Sequence, residues 1–268
     1  CMIQGPIERF QVFQNEMDYC FDRRRPRDLV LGILRICWGI TKALIATLYF
    51  LPVIRSVIAA PWGADHGMRY YEHPESIESY WLLYFGVFIN IYWLYLEFSG
   101  YCDVSAGIAR IFGYRQIENF NWVWFATSLR DFWRRWHISL SAILRDYVYI
   151  PLGGNRGRVW LNLMLTFGIC GIWHKIIPQM FLWGILMGFM LWVNQKWVAW
   201  TKSLAEREDG FWTHVRHVTL RIRPIPQFFA WLLTMHAFVF SLLIFFGGVK
   251  SWRVLKEIVR RPLEALFG

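Results

Sequence analysis

Long apolar blocks alternate with polar and charged connections along this chain. Five blocks are candidates to cross a bilayer, near residues 29–51, 79–98, 159–174, 180–200 and 226–248. A transmembrane helix needs about 20 predominantly apolar residues. The third block is short for that purpose, so we expect it to be tilted or to cross only partly. The pattern predicts an all-α integral membrane protein with several spans.

Composition and charge support the same prediction. Of the 268 residues, 56% are hydrophobic and 19% aromatic, whereas ordinary soluble domains are about 45–50% apolar. The formal net charge of +10 could indicate nucleic-acid binding. However, the basic residues lie mostly between apolar blocks, which is typical of cytoplasmic loops beside anionic lipids. We therefore expect a multi-pass protein of the cell membrane, with membrane lipid and not nucleic acid as its partner.

The loop charges predict a topology. Residues 1–28 are basic, and the connection 99–158 holds eight arginines against four acidic residues. With basic loops inside, the first four crossings alternate consistently. The tail breaks the pattern, because a fifth crossing would place its basic residues outside. Either one block is re-entrant or further helices shift the count.

The first span carries two charges, Arg35 and Lys42, which fall nearly on one line of a helix. Each charge at mid-bilayer costs about 2.5–3.5 kcal/mol, so both should face protein or water. We interpret this stripe as a surface for helices outside this sequence or for a partner.

Residues 128–150 are too charged to span lipid but show helical periodicity. The pattern predicts one amphipathic helix, with His137 at the edge between its faces and Pro151 ending it. One face is aromatic and aliphatic: Phe132, Trp133, Trp136, Leu140, Ile143, Leu144 and Tyr147. Periodicity alone favours a helix at the membrane surface, while the wall of a buried polar cavity is the alternative.

His174 closes the apolar run TFGICGIWH. An ionisable residue at membrane depth is a candidate for function, although a hydrogen-bonded histidine at a helix end explains it equally well. The other histidines and the five cysteines show no metal-ligand spacing, so no metal site is predicted. No G-x-S-x-G elbow, Walker loop or H-E-x-x-H motif is present.

Four ordered blocks resemble the membrane-bound O-acyltransferase family, in its alginate O-acetyltransferase and teichoic-acid D-alanyltransferase branch. They are FSGYCDVSAGIARIFGY (98–114), ENFNWVW (118–124), SLRDFWRRWHISLSAILRDYVYIPLGGNRG (128–157) and GIWH (171–174). Gly5, Pro6 and Ile7, with the following Arg9, resemble an earlier landmark of that family. The resemblance covers most of the chain.

The resemblance implies a fold of many spanning helices around a tunnel, with re-entrant or interfacial helices. It implies one membrane-embedded domain over 1–268, with N-terminal helices of the family absent from this sequence. His174 is implied as the catalytic base and His137 as a second functional histidine. Contacts with donor or acceptor are assigned to Arg134, Arg135 and Asn155, although arginines at an interface are more often lipid anchors.

The implied reaction moves an acyl group, expected to be acetyl, to a hydroxyl of an extracytoplasmic polysaccharide or its carrier. The co-substrate is a cytoplasmic thioester, acetyl-CoA or an acyl carrier protein, with no bound cofactor. An extracytoplasmic SGNH-type esterase or acetyltransferase is implied as partner. Acylation of a lipid or small metabolite, and a non-catalytic scaffold or transport component, are the alternatives.

Three positions depart from the family pattern. Lys175 stands where glycine usually follows the GIWH block, Met187 where a second histidine is frequent, and Glu97 where aspartate is common before FSGY. A lysine near the base would favour its neutral form. It is equally compatible with a changed acceptor or a degenerate enzyme.

Overall fold

A computed structural model describes residues 6–53, 74–77, 79–206, 224–247 and 250–267. Its described part is helical, and we number the helices in chain order. They are α1 (Phe10–Arg23), α2 (Pro26–Ile45), α3 (Tyr80–Ile111), α4 (Leu129–Arg135), α5 (Ile138–Leu144), α6 (Val159–His174), α7 (Pro178–Ala205), α8 (Pro224–Gly247) and α9 (Ser251–Phe267). π-Helical turns follow α2 at Ala46–Phe50 and α5 at Arg145–Tyr149.

Three helical segments are long and apolar enough to cross a membrane: Pro26–Phe50, Tyr80–Ile111 and Pro226–Gly247. They contain most of the first, second and fifth predicted blocks. The third block coincides with the shorter apolar helix α6, and the fourth lies within α7. The all-α membrane class is thus confirmed, while crossings by the third and fourth blocks stay predictions.

The contacts divide the chain into two compact units. Unit 1 takes residues 1–119 and 242–268, and unit 2 takes residues 120–241. Unit 1 is therefore discontinuous in sequence, because unit 2 is inserted within it.

In unit 1, glycines bring α2 and α3 together as an antiparallel pair. A Cβ added to Gly39 would lie 2.5 Å from the carbonyl oxygen of Gly100, and one added to Gly32 would lie 2.7 Å from that of Gly107. Small residues at such crossings let backbones approach closely in membranes. The spacing of seven residues on both helices keeps the glycines on one face.

The charged stripe of the first span is neutralised within this same pair. Asp103 of α3 accepts bonds from Arg35 at 3.1 Å and from Lys42 at 2.6 Å, while Glu118 also pairs with Arg35. Both cations face protein, as expected. Carboxylates of this chain, 61–83 residues away in sequence, neutralise both cations, whereas packing of absent helices or of a partner on the stripe stays a prediction.

Helix α9 ties the end of unit 1 to an earlier segment. Arg261 pairs with Glu257 at 3.1 Å and donates to the backbone carbonyls of Ile77 at 2.6 Å and Pro74 at 3.2 Å. Its guanidinium group thus satisfies acceptors outside its own helix. The basic tail contains this helix, so at least one of its cations is structural.

In unit 2, α6 and α7 form a helical hairpin joined by residues 175–177. A Cβ on Gly184 would lie 2.0 Å from the carbonyl oxygen of Phe167, and one on Gly171 would lie 1.9 Å from that of Met180. The two backbones are therefore in direct contact. This fixes the end of α6, where His174 lies, against α7.

Replacing Gly184 by alanine is expected to destabilise the hairpin more than replacing Gly168. The new methyl group at Gly184 meets a backbone carbonyl, whereas at Gly168 it meets the Phe181 ring at 2.8 Å, which can rotate away. Overpacking typically costs about 1–3 kcal/mol. Thermal unfolding of the full-length protein in detergent measures the melting temperatures of the two variants. Equal melting temperatures for G184A and G168A would contradict the close backbone contact.

Candidate active site

The segment 128–150 is broken at the residues singled out from the sequence. Helix α4 ends at Arg135, and α5 begins at Ile138. Between them His137 adopts a left-handed conformation, with φ 47° and ψ 53°. The prediction of one continuous amphipathic helix is wrong here. Left-handed backbone is uncommon for a non-glycine residue and is often found at functional sites.

Aromatic packing holds the break in place. Trp136 lies 5.1 Å from Phe120 and 5.7 Å from Phe238 between ring centroids. Trp133 packs edge-on against Phe167 of α6, at 4.9 Å. The aromatic face predicted for the segment is largely buried, although Tyr147 is exposed. This face therefore packs on protein at α4 and at the break, while a position of the segment at the membrane surface stays a prediction.

The break and the hairpin bring the two predicted histidines to the same tryptophan. The ring centroid of Trp173 lies 5.9 Å from that of His137 and 4.8 Å from that of His174. The ring centroid of His174 also lies 5.9 Å from that of Trp183 in α7. His137 is 3% exposed and His174 is half-buried. Two imidazoles from segments 37 residues apart thus share one largely aromatic environment.

Burial sets the protonation state of His137. It lowers the pKa of this imidazole to about 3, with a smaller contribution from the nearby His174. A positive charge in this apolar surrounding is poorly solvated. His137 is therefore neutral near pH 7, with one ring nitrogen able to donate and the other able to accept a hydrogen bond.

The three predicted substrate contacts lie in different surroundings. Arg134 is exposed. Arg135 pairs with Asp131 at 3.0 Å, which occupies part of its guanidinium group. Asn155 is exposed and accepts a hydrogen bond from the Tyr149 hydroxyl at 2.8 Å. Their roles toward donor or acceptor stay predictions.

Sequence reasoning missed the two tryptophans beside His174 and also Asn162 of α6. Asn162 is 5% exposed and donates to the carbonyl of Gly154 at 3.0 Å. It thereby holds the turn at Gly153 and Gly154, which both have positive φ. A polar residue inside an apolar block was the available signal for Asn162.

The three positions that depart from the family pattern differ in how far their side chains are buried. The Lys175 side chain is exposed after the end of α6, while Met187 is fully buried in α7 and Glu97 is half-buried in α3. Among the residues that the structure describes, no group of three or more His, Cys, Asp or Glu could hold a metal ion.

The chain belongs to the MBOAT, membrane-bound O-acyltransferase family, whose sequence profile matches residues 1–247. This agrees with the helical membrane fold and with the resemblance carried by the sequence blocks.

Named relatives come from several bacteria. The chain is 39% identical to the peptidoglycan O-acetyltransferase of Helicobacter pylori over 168 residues, covering 62% of this chain and 28% of that protein. It is 46% identical to the probable alginate O-acetylase AlgI of Pseudomonas aeruginosa over 194 residues, 71% of this chain and 34% of that protein.

A more distant relative is matched over a longer stretch. Identity to the teichoic acid D-alanyltransferase of Bacillus subtilis is 28% over 255 residues, covering 91% of this chain and 58% of that protein. The chain thus spans between about a quarter and three fifths of the length of these relatives.

Proposed function

We propose that this chain is the histidine-bearing part of a membrane O-acyltransferase that acylates a hydroxyl of an extracytoplasmic polysaccharide or its carrier. The observation that carries the proposal is that the rings of His137 and His174 both contact the ring of Trp173. Membership of the family and relatives named for acetyl and D-alanyl transfer support the reaction class.

His174 is the base in this proposal. The acceptor hydroxyl attacks the thioester carbonyl carbon while an imidazole nitrogen of His174 takes the hydroxyl proton. The tetrahedral intermediate then collapses, the carbon–sulfur bond breaks, and the proton passes to the departing sulfur. A positioned general base of this kind contributes about 10²–10⁴-fold to the rate.

His137 has the second role, as a neutral hydrogen-bond donor to the oxyanion or the donor carbonyl. Its burial supports this role, because a hydrogen bond is stronger where water is excluded. Its left-handed backbone supports a fixed position, since the surrounding aromatic packing must over-determine that conformation.

The donor is a cytoplasmic acyl thioester, from acetyl-CoA or an acyl carrier protein, and the acyl group is acetyl. An extracytoplasmic SGNH-type protein is proposed as a partner in passing the acyl group on. The predicted topology places His174 toward the outer side, which supports an acceptor reached from outside the cell.

The proposal is tested with the full-length protein in the organism that makes it. Deletion of the gene is expected to remove ester-linked acyl groups from surface polysaccharide, and the wild-type copy to restore them. Membranes given a labelled acetyl thioester should then transfer label to the polysaccharide as an ester. Unchanged ester content after deletion, or label that never enters ester linkage, contradicts the proposal.

Replacing His137 by asparagine is expected to lower acyl transfer by about 10²-fold, because the shorter side chain withdraws its N–H from the position of the imidazole N–H, and loss of one oxyanion donor typically costs that much. Asparagine tolerates the left-handed backbone, so membrane abundance should stay near wild type. The pH profile between about pH 5 and 8 should keep its shape, because His137 with a pKa of about 3 is neutral throughout that range. An H137N profile that loses an ionisation would contradict this role.

A further inference from the structure

Unit 1 contains a polar cavity of about 320 Å³ at one end of the α2–α3 pair. It lies between the start of α2, the end of α3 and the segment 113–118. Its lining residues all precede residue 119 in sequence, so neither His137 nor His174 lines it. The turn at Gly113 has φ +86°, and a Cβ there would lie 2.1 Å from the carbonyl oxygen of Cys20 in α1. The close approach of α1 to this turn therefore depends on glycine.

The two carboxylates that line the cavity, Asp28 and Glu118, already accept hydrogen bonds from groups of the protein. Asp28 accepts from the backbone N–H of Arg25 at 3.0 Å and from Nε of Arg110 at 3.3 Å. Glu118 receives two bonds from Arg35, one on each carboxylate oxygen. Neither carboxylate is left to neutralise the remaining cations of the lining.

Several hydrogen-bond donors in the lining have no acceptor in the described part of the chain. Arg110 uses only Nε in its bond to Asp28, and Arg115 makes no ion pair with a described residue. The Tyr114 hydroxyl is buried without a hydrogen-bond partner, in a residue that is 7% exposed. Gln116 accepts from Ser105 through Oε1 at 3.0 Å, which leaves its amide N–H₂ to donate.

A cavity with surplus donors and occupied carboxylates is complementary to an anion with several acceptor oxygens. Guanidinium groups match phosphate geometry, and their charge-assisted bonds are about twice as strong as neutral ones. Arg24, Arg25 and Arg27 add positive charge at the same end of α2. We propose that this cavity binds a phosphate ester, held chiefly by Arg110, Arg115 and Tyr114.

Two sources could supply that phosphate ester on the basic, predicted cytoplasmic side. One is the phosphate of a soluble phosphopantetheine-type thioester donor, and the other is the headgroup of an anionic lipid. The soluble source rests on the proposed acyl transfer, because that reaction consumes the donor. Binding is measured without turnover, so a failure here is distinguishable from a failure of acyl transfer.

The test uses the full-length protein and three variants. R115Q and Y114F each remove one proposed contact, whereas R156Q removes an exposed arginine of unit 2 and is the charge-matched control. Calorimetry with pantetheine 4′-phosphate, and with pantetheine as the phosphate-free probe, tests the soluble source. Native mass spectrometry after incubation with phosphatidylglycerol or phosphatidylcholine tests the lipid source.

For the soluble source, pantetheine 4′-phosphate should bind more tightly than pantetheine. The Kd of pantetheine 4′-phosphate should rise about tenfold in R115Q, because the variant loses one charge-assisted hydrogen bond. For the lipid source, retained phosphatidylglycerol should fall in R115Q. Y114F should give a smaller loss in the same assay, and R156Q should match wild type. The inference is overturned if neither probe distinguishes R115Q from R156Q. It is also overturned if pantetheine binds as tightly as its 4′-phosphate and zwitterionic phosphatidylcholine is retained as well as anionic phosphatidylglycerol.

Discussion

Replacement of His174 by alanine is expected to lower acyl transfer by about 10²–10⁴-fold, the usual contribution of a general base. The substitution leaves the hairpin contacts intact, because those are made by glycine backbones on α6 and α7. Membrane abundance should therefore remain near wild type. Initial rates with a saturating labelled thioester, in membranes adjusted to equal protein, measure the effect.

The control for this variant is another histidine of unit 2. His236 lies in α8, half-buried, with Nδ1 2.7 Å from the carbonyl oxygen of Leu232. H236Q should transfer acyl groups at close to the wild-type rate. If H174A also stays close to wild type, His174 is not the base, and the scaffold reading of the fold gains support. If both variants fail alike, the loss is structural rather than chemical.

Replacement of Asp103 by asparagine is expected to lower the free energy of unfolding by about 3 kcal/mol, the lower end of the cost of removing one partner from a buried ion pair, because this pair is only partly buried. Asp103 is the shared acceptor of Arg35 and Lys42, and its side chain is 13% exposed. Asparagine keeps the volume but removes the charge. Lys42 then loses its carboxylate partner, while Arg35 keeps Glu118.

Thermal unfolding of the full-length protein in detergent measures this loss, which corresponds to roughly 10 °C for a protein of this size. The same substitution at Asp131 is the control, because its i,i+4 pair with Arg135 is about 30% exposed on both sides. Pairs of that kind contribute about 0–1 kcal/mol. A D103N melting temperature as high as that of D131N would show that the ion pairs of Asp103 do not stabilise the packing of α2 on α3.

Periodicity and length predicted the membrane class and the principal helices well. The apolar runs at 29–51 and 79–98 fall within or along α2 and α3, because about 20 apolar residues in lipid have few alternatives to a helix. Both histidines were also singled out from the sequence, His174 by its position at the end of an apolar run. Local pattern is sufficient for such features.

The break at His137 and the use of Asp103 could not be predicted in the same way. A continuous 3.6-residue period runs through residues 128–150, yet tertiary packing of Trp133 and Trp136 stabilises a left-handed residue between two short helices. Asp103 lies 61 residues from Lys42, so only the packing of two helices reveals the pair. Contacts distant in sequence leave no local signal.

The bonds from Arg261 to the carbonyls of Ile77 and Pro74 have a consequence for synthesis. These acceptors leave the ribosome long before their donor, with the whole of unit 2 translated in between. Domains generally fold as units and in order of emergence, but unit 1 can close only when α9 has been made. Unit 1 of the nascent protein therefore stays incomplete while unit 2 is being made. During that stage the carbonyls of Ile77 and Pro74 lack their donor, and insertases or chaperones could bind the exposed backbone.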